Sequence, residues 1–427
     1  MIARLVRRLL WVVGFGCLWL PLLDDPPLAT DAYVQDVTQD AATVAMITAQ
    51  PAQIRCVVHD RDGKVVTEVS GPPERRRHAL RVTGLHSGTD YRYVVTRDGG
   101  KVAEGRLRTA PATDQAPVQF AFLGDSGGLP WWVWMQKSPA LHLPARWDWL
   151  GTSHAVTRIG ERIAAAKPDF VLHLGDIVYP WGRNAQYSAG FFRPFAAAMR
   201  NAPFYAVLGN HDLMDTGGLQ ALANLHLPRG ELTGDERCYS FAWGAVRIIA
   251  LDCDPDHGGG RYEPGHPAFD YLQAQLPVCS EPWVIVASHF PIRSASRARN
   301  NADLMKSMLP VLKQYQVSVY LSGHDHCYQR FGPSAEGGGG EVPLIVSGGG
   351  GKSLYEVRPD KAAAVLQSQY HWCSAAAQGD VLTVRSHGLD GDLLDTVELR
   401  LPAGEALEEL RRLNPARATR VDGLRVR

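Results

Sequence analysis

In the stretch FVLHLGDIVY (residues 170–179), an apolar run is followed by a glycine and an acid, Asp176. VQFAFLGD (118–125) repeats this form and ends at Asp125. Each run is typical of a buried strand, and the polar ends of strands are where α/β sheets place ligands. The two stretches therefore predict strands of an α/β sheet whose ends carry functional carboxylates.

Helical and strand-like segments alternate through the same part of the chain. SHAVTRIGERIAAAKPDF (153–170) has a helical period that stops near Pro168, and FFRPFAAAMRNAPF (191–204) is a second helical segment. Three more apolar runs end in polar residues: YAVLGNHD (205–212), WVIVASHF (283–290) and VSVYLSGHDH (317–326). Alternation of strands and helices predicts a layered α/β core.

The bulk composition is that of a globular protein. The chain has 427 residues, of which 45% are apolar and 21% charged, and this length fits two or three domains. Lysine and arginine number 44, as do aspartate and glutamate. This balance gives no reason to expect a nucleic acid or an acidic membrane as partner.

The N-terminal segment predicts export. MIARLVRR (1–8) carries three arginines, and LLWVVGFGCLWLPLL (9–23) adds fifteen residues without a charge. A basic stretch before an apolar run of this length is typical of a secretory signal, whereas a transmembrane helix needs about 20 apolar residues. We expect residues 1–29 to be a signal peptide or an uncleaved membrane anchor, with a buried N-terminal helix as a third interpretation. The protein is then periplasmic or secreted, or is held at the membrane by that anchor.

Six cysteines lie beyond this leader, and their spacing shows no disulfide framework. No CxxC motif occurs, so the sequence does not support a zinc knuckle or a thioredoxin-like site. Cys238 and Cys253 flank what reads as one strand. Fourteen extended residues between them would hold the two thiols too far apart to pair.

Residues 30–112 predict a separate all-β unit. Short β-rich runs alternate there with turn signals such as Asp62-Gly63, which is typical of a sandwich. GLHSGTDYRYVV (84–95) places a glycine-containing turn before Tyr91 and resembles the tyrosine corner of fibronectin type III domains. We therefore expect an N-terminal fibronectin type III-like β-sandwich, joined to the α/β part by a proline-containing linker.

Polar residues at the ends of five predicted strands form one constellation. They are Asp125, Asp176, Tyr179, Asn210, His211, Asp212, His289, His324 and His326. A single histidine at a strand end is usually structural or solvated, but five strand ends that each deliver ligand-capable groups point to a shared site. Oxygen and nitrogen donors without sulfur suit iron, manganese or zinc. Two such ions about 3.5–4 Å apart can hold both the attacking and the leaving oxygen of a phosphoryl displacement.

Five short blocks carry a family resemblance. In order they are GDSG (124–127), GDIVY (175–179), GNHD (209–212), VIVASH (284–289) and GHDH (323–326). Together they resemble the signature of calcineurin-like metallophosphoesterases, and the tyrosine of the second block resembles purple acid phosphatases in particular. The resemblance implies a four-layer αββα catalytic domain over residues 118–402, preceded by the β-sandwich and followed by a tail at 403–427.

The resemblance also implies a role for each residue of the constellation. The first metal, Fe(III) because of the phenolate, would be held by Asp125, Asp176, Tyr179 and His326. The second metal, Fe(II), Zn or Mn, would be completed by Asn210, His289 and His324, with Asp176 bridging the pair. His211 would face the substrate phosphate and either hold it or protonate the leaving alkoxide. Asp212 would orient the His211 ring or act as a helix N-cap.

The implied activity is that of an exported binuclear phosphohydrolase. It would be an acid phosphatase that hydrolyses phosphate monoesters of small molecules by attack of metal-bound hydroxide, without a phosphoenzyme. Two alternatives stay open. One is a phosphodiesterase or nucleotide hydrolase on the same fold, and the other is a catalytically inert surface binding protein.

One segment departs from the plant members of the family. HFPIRSASRARNN (289–301) has no further histidine after the fourth block, but it offers Arg293, Arg297 and Arg299. Arginine forks bind phosphate well, whereas loop arginines are often only solvated. Arg293 and Arg297 are therefore candidate substrate-binding residues.

Two loops have unusual composition. GGLPWWVWMQKSPALHLPARWDWLG (127–151) holds five tryptophans and predicts either an aromatic wall beside the site or a loop packed on its own side chains. SAEGGGGEVPLIVSGGGGKS (334–353) carries two four-glycine runs, to which the sequence assigns no role.

Overall fold

The computed structural model of the protein describes residues 28–114, 116–127, 154–214, 217–254, 261–297, 300–332 and 342–425. The predicted leader lies outside these residues except for residues 28 and 29, as do Arg299, the tryptophan-rich loop beyond Gly127 and the first four-glycine run. Within the described ranges, no helix is long and apolar enough to cross a membrane.

Seven strands come first: β1 (Tyr33–Gln35), β2 (Ala41–Ile47), β3 (Ile54–His59), β4 (Val65–Ser70), β5 (Arg77–Thr83), β6 (Asp90–Arg97) and β7 (Gly100–Arg108). They form two antiparallel sheets, ordered β1-β2-β5 and β4-β3-β6-β7. The Tyr91 hydroxyl accepts a hydrogen bond from the His86 N–H at 2.8 Å, which is the backbone contact of a tyrosine corner. The assignment of this unit to the fibronectin type III class stays a prediction.

A six-stranded sheet follows, made of β8 (Val118–Leu123), β9 (Phe170–His173), β10 (Phe204–Ala206), β18 (His371–Gln378), β19 (Val381–Gly388) and β20 (Leu393–Arg400). Its order is β10-β9-β8-β18-β19-β20. The first three strands are parallel, and the last three add on in antiparallel fashion. Strands β18, β19 and β20 follow one another in the chain and pair as consecutive antiparallel hairpins.

A seven-stranded sheet contains β11 (Tyr239–Trp243), β12 (Val246–Leu251), β13 (Trp283–Ser288), β14 (Val319–Ser322), β15 (Tyr328–Phe331), β16 (Leu344–Ser347) and β17 (Ala363–Gln367). Its order is β11-β12-β13-β14-β16-β15-β17, and β12, β13, β14 and β16 are parallel to one another. Every residue of β13 and β14 is buried, as expected of central strands covered on both faces.

The helices of the described ranges are α1 (His154–Ala166), α2 (Asn184–Tyr187), a π-helical turn (Ser188–Phe192), α3 (Arg193–Met199), α4 (Asn210–Leu213), α5 (Leu219–Asn224), α6 (Pro267–Gln275), α7 (Ala302–Gln314), α8 (Glu405–Leu413) and α9 (Pro415–Arg425). Helix α1 buries Val156, Ile159 and Ile163 at helical spacing. The alternation of these helices with parallel strands confirms the predicted α/β core, while the four-layer order stays a prediction.

The two large sheets bring the ends of five strands into one region. Asp125 follows β8, Asp176 follows β9 and Asn210 follows β10, and these three strands are parallel. In the other sheet, His289 follows β13 and His324 follows β14. Because these are the carboxyl ends of parallel strands, their loops meet at one edge of the core.

The N-terminal sheets pack directly on the α/β part. The Tyr33 hydroxyl donates to Asn224 O at 2.8 Å, and the Tyr205 hydroxyl donates to Val37 O at 3.1 Å. Buried apolar residues of both parts belong to one continuous core. The N-terminal unit is therefore fixed by packing as well as by the linker.

The segment between Cys238 and Cys253 corrects one expectation from the sequence. It is a hairpin of β11 and β12 that turns at Gly244, whose φ is 56°, rather than a single strand. Asp252 consequently returns to Cys238, and its N–H lies 3.4 Å from Cys238 Sγ. The residues between Cys238 and Cys253 therefore do not form one extended strand that would hold the two thiols apart. Both cysteines are nevertheless free thiols.

The tail forms two helices that join the core through buried polar groups. The Asn414 amide donates to Leu276 O at 2.9 Å and to Cys279 O at 2.7 Å, beyond the end of α6. The Arg417 guanidinium donates to three backbone carbonyls: those of Pro282, Tyr315 and Gln316. Helices leave their last carbonyls without partners, so the tail completes the ends of α6 and α7.

Replacement of Arg417 by methionine should destabilise the protein by about 3–5 kcal/mol, because it leaves several buried carbonyls without a donor. Arg417 is 1% exposed, and burial lowers its pKa to about 10. Urea unfolding would measure the loss. Arg412→Met is the matched control, since Arg412 is exposed on α8 and forms a surface ion pair with Glu409. Equal stability of the two variants would contradict the capping role.

Candidate metal centre

Left-handed backbone sets the loops that carry the candidate ligands. Asp125, Asp176 and His324 have φ values of 57°, 52° and 68°, a conformation that costs a non-glycine residue about 1–3 kcal/mol and recurs at functional sites. Gly175, with φ of 88°, precedes Asp176, and a Cβ there would lie 2.6 Å from His289 Nδ1. The Gly-Asp order therefore lets two loops from different sheets approach each other.

The first group of side chains gathers around Tyr179. Its hydroxyl oxygen lies 3.0 Å from Asp125 Oδ1, 2.8 Å from Asp176 Oδ2 and 3.2 Å from His326 Nε2. Asp125 Oδ1 lies 3.5 Å from the same histidine nitrogen. All four side chains are buried. The structure thus brings together the four residues that the family resemblance assigns to a first metal.

The second group gathers around Asn210. Its Oδ1 lies 3.2 Å from His289 Nε2 and 3.1 Å from His324 Nδ1. The two histidine nitrogens are 3.2 Å apart. These are the three residues that the family resemblance assigns to a second metal.

Asp176 lies between the two groups. Its Oδ2 faces the Tyr179 hydroxyl, whereas its Oδ1 lies 3.5 Å from His289 Nε2. Ligand atoms of Asp125, Asp176 and His289 all lie within 4.8 Å of one another, which makes them a possible metal-binding cluster. One carboxylate with an oxygen in each group has the form required to bridge two cations.

Backbone carbonyls fix the orientation of two of these histidines. His289 Nδ1 lies 2.8 Å from Leu174 O, and His326 Nδ1 lies 2.7 Å from Ser353 O. Because a carbonyl can only accept, each ring carries its proton on Nδ1 and turns Nε2 toward the carboxylates. Histidines that bind metals usually donate their other N–H in this way.

Burial and the two carboxylates, Asp125 and Asp176, shift the pKa values of the candidate ligands. Burial lowers the pKa of His324 to about 4, with the neighbouring His289 adding to the effect, so its ring is neutral. Burial would also lower the pKa of His289, but Asp176 and Asp125 outweigh it and the net change is upward. Burial and the same carboxylates raise the pKa of Tyr179 well above its usual value. A bound cation would act in the opposite direction on the phenol.

His211 and Asp212 follow the third strand end and have different contacts. The His211 ring lies 4.4 Å from the Tyr179 ring, and its Nδ1 lies 2.8 Å from Pro180 O. The Asp212 carboxylate instead accepts from the N–H groups of Gly209 and Ile177, both at 2.9 Å. The Pro180 carbonyl, rather than Asp212, therefore orients the His211 ring, and Asp212 closes the first turn of α4.

The two described candidate arginines lie in different places. Arg297 is exposed, and its guanidinium carbon lies 5.3 Å from the centre of the Tyr355 ring. That ring stacks on His326 at 4.0 Å, so Arg297 reaches the edge of the metal-site candidates. Arg293 instead lines a separate cavity with residues of α7 and β15, and none of the nine constellation residues lines that cavity.

Sequence reasoning identified the second four-glycine run but assigned no role to it or to the residues around it. His371 N–H donates to Gly349 O at 3.0 Å, and its ring Nε2 lies 3.0 Å from Ser347 Oγ. A Cβ at Gly349 would lie 2.3 Å from His371 Nδ1. The signal was present in the sequence as a glycine run directly after an apolar strand, but only the structure shows what the glycines approach.

His371 should make the protein less stable in acid. Burial lowers the pKa of His371 from 6.5 to about 4, so the unfolded chain binds this proton more readily than the folded one. The stability that the neutral His371 ring contributes to the folded protein is present above about pH 6.5 and is lost as the pH falls toward 4. At pH 5 the free energy of unfolding is lower by about 2 kcal/mol for this reason. His371→Gln should therefore reduce the fall in unfolding free energy between pH 7 and pH 5 by that amount in urea titrations. Exposed His154→Gln is the control, and an unchanged fall in the His371 variant would contradict this assignment.

Comparisons with known proteins point to phosphoesterases. Residues 118–328 match the family of calcineurin-like phosphoesterases. An uncharacterized protein of Mycobacterium tuberculosis is 31% identical over 64% of this chain and 53% of its own length. Mouse tartrate-resistant acid phosphatase type 5 is 27% identical over 57% of this chain and 82% of its own.

Solved structures show the same fold. A purple acid phosphatase from yellow lupin seeds superposes with a TM-score of 0.72, covering 92% of this chain and 77% of the lupin chain at 15% identity. The chain thus spans most of the lupin protein but about half, 53%, of the mycobacterial relative.

Proposed function

Because residues 118–328 form a calcineurin-like phosphoesterase domain, we propose that this protein is a binuclear metal-dependent acid phosphatase that hydrolyses phosphate monoesters. The observation that carries the proposal is the pair of donor groups that meet at Asp176. The acid phosphatases among its relatives, from mouse and Arabidopsis thaliana, support the choice of monoesters.

The residues present fit two metal ions. Two adjacent buried carboxylates, Asp125 and Asp176, would repel each other unless cations lay between them. The donors are oxygen and nitrogen, and two of the histidines already turn a lone pair toward the carboxylates. The first ion would be held by Asp125, Asp176, Tyr179 and His326, and the second by Asp176, Asn210, His289 and His324.

Phenolate ligation favours Fe(III) at the first position, with Fe(II), Zn or Mn at the second. When bound, two cations would lower the pKa of water and stabilise the charge that develops on the transferred phosphoryl group. The chain's own task is then to hold the phosphate and to assist the leaving oxygen.

His211 is the residue proposed to assist the leaving oxygen or to hold the phosphate. Its Nδ1 proton is held by Pro180 O, which leaves Nε2 for the substrate. Its backbone N–H donates to Asp176 Oδ1 at 2.9 Å, so the loop that carries the imidazole is fixed to the bridging carboxylate. Protonated at Nε2, the ring would hold the phosphate or give its proton to the leaving alkoxide. Arg297 is the proposed substrate contact at the rim.

The remaining proposals concern the organisation of the protein. Residues 1–29 act as a signal peptide or membrane anchor and direct the protein to the periplasm or the medium. Residues 30–112 are a fibronectin type III-like module, and residues 118–402 are the catalytic domain. Residues 403–427 form a tail whose helices complete the core. The substrate is a phosphorylated small molecule rather than a nucleic acid.

A comparison of substrates across pH tests the proposed reaction. Aryl phosphate monoesters should turn over much faster than the corresponding diesters in acid. A large preference for diesters would instead favour a phosphodiesterase or nucleotide hydrolase. Fewer than two metals per chain under replete conditions, with no turnover of either substrate, would favour an inert binding protein.

The colour of the protein tests the first metal. A ferric phenolate absorbs visible light, so the metal-replete protein should be coloured and Tyr179→Phe should abolish that absorption. Tyr205→Phe serves as the control, since Tyr205 is equally buried but its hydroxyl bonds to the backbone of Val37, away from the candidate ligands. A colourless, fully metallated and active enzyme would overturn the ferric assignment and leave the hydrolase intact.

A further inference from the structure

The second four-glycine run and the two residues after it, residues 348–353, form what we call the glycine segment. It lies against the candidate metal ligands along its length. Gly350 N–H donates to Gly124 O and Lys352 N–H donates to Asp125 O, both at 3.0 Å. Ser353 O lies 2.7 Å from His326 Nδ1. The backbone on either side of the Lys352 side chain is therefore tied to the loops of the first metal group.

Two of the glycines are required by this close approach. A Cβ on Gly350 would lie 2.3 Å from Gly124 O. Gly351 has φ of 152°, and a Cβ there would lie 2.1 Å from Val156 Cγ2. No side chain fits at either position without displacing the segment. The run of glycines thus serves to bring the next residue, Lys352, up to the site.

The Lys352 side chain points back across the candidate ligands. Its Nζ lies 4.4 Å from the centre of the Tyr179 ring, and the His211 ring lies 4.4 Å from the same centre. The hydroxyl of that ring contacts both Asp125 and Asp176. The Lys352 ammonium and the proposed phosphate-facing histidine therefore converge on one phenol, whose oxygen lies among the candidate metal ligands.

We propose that Lys352 binds the phosphate group of the substrate. The inference rests on the proposed function, in which a phosphate dianion is held at the two metals beside His211. A lysine ammonium is a compact charge on a flexible stem, so it can move a short distance from the ring to a phosphate oxygen. Lys352 is half-buried, which strengthens such an ion contact relative to one in open solvent. The other role open to it is structural, as a cation packed on the Tyr179 ring.

Binding of inorganic phosphate to the full-length, metal-replete protein separates the two roles. Lys352→Met removes the charge and keeps the stem, and it should weaken the Kd for phosphate in calorimetry by about tenfold. Metal content should stay at the wild-type value, and the KM for an aryl phosphate should rise more than kcat falls. Lys352→Arg should recover most of the phosphate affinity. Lys306→Met makes the same chemical change at an exposed position of α7 and should leave the Kd unchanged.

The outcomes distinguish this inference from the proposed function. An unchanged phosphate Kd in Lys352→Met overturns the role of Lys352, while turnover by the wild type keeps the phosphatase. Phosphate binding that depends on Lys352 in a protein that hydrolyses no monoester supports the binding role and overturns the phosphatase. Loss of metal from Lys352→Met, with no recovery in Lys352→Arg, shows a structural role and overturns the inference. A wild-type protein that binds no phosphate overturns it as well.

Discussion

Replacement of Asp176 by asparagine should lower kcat/KM for aryl phosphates by at least about 10⁴-fold, which is the largest loss expected from any single change in this protein. The Asp176 carboxylate has one oxygen facing the Tyr179 hydroxyl and the other facing His289. An asparagine keeps the shape but presents one acceptor oxygen and removes the charge shared between the two groups. Elemental analysis should show fewer than two metals per chain, in parallel with the lost activity.

Asp169→Asn is the matched control for this experiment. Asp169 lies just before β9, whereas Asp176 lies just after it, so the two carboxylates flank the same strand. The Asp169 carboxylate accepts from the Gln119 N–H at 2.8 Å and pairs with Arg108. Its loss should reduce stability and leave the metal content unchanged. An Asp176→Asn variant that keeps two metals and activity within tenfold of wild type would refute the bridging role.

The strand ends were predictable because their signal is local. An apolar run followed by Gly-Asp, as at Gly175 and Asp176, marks both a buried strand and a left-handed loop residue after it, and the structure has φ of 52° at Asp176. The common location of such ends follows from the rule that parallel strands present their carboxyl ends at one edge. The grouping of individual ligands came from the family resemblance, and the distances agree with it.

Other features depend on contacts that a sequence does not display. The carboxylate of Asp212 receives N–H groups from Gly209 and Ile177, which belong to two different loops. The ring of His211 takes its orientation from a backbone carbonyl, a group that every residue possesses. The role of Arg417 could not be predicted from the sequence either, because its partners are backbone carbonyls at the ends of distant elements. Side-chain patterns predict strands and ligands well, but they carry no information on which backbone groups need a partner.

Replacement of His211 by glutamine should lower kcat by about 10²–10³-fold on alkyl phosphates and by less than about tenfold on aryl phosphates with good leaving groups. A proton donor matters most when the leaving oxygen is strongly basic, so the size of the loss should follow the pKa of the leaving alcohol. If His211 only holds the phosphate, the same variant should raise KM by a similar factor for both substrates. Equal losses in kcat for both would exclude the general-acid role.

Asp212→Asn distinguishes the two proposed sources of His211 orientation. If Asp212 positioned the imidazole, this variant would show the same dependence on leaving group as His211→Gln. The structure instead gives that role to Pro180 O and places the Asp212 carboxylate on backbone N–H groups of two loops. Burial, with Asp176 nearby, raises the pKa of Asp212 to about 7, so an asparagine matches the protonated acid in charge. Its NH2 group, however, cannot accept one of the two N–H bonds that the carboxylate oxygens receive from Gly209 and Ile177. We therefore expect Asp212→Asn to reduce turnover of alkyl and aryl phosphates by the same factor and to lower the unfolding temperature, because it loosens both loops without removing the proton donor.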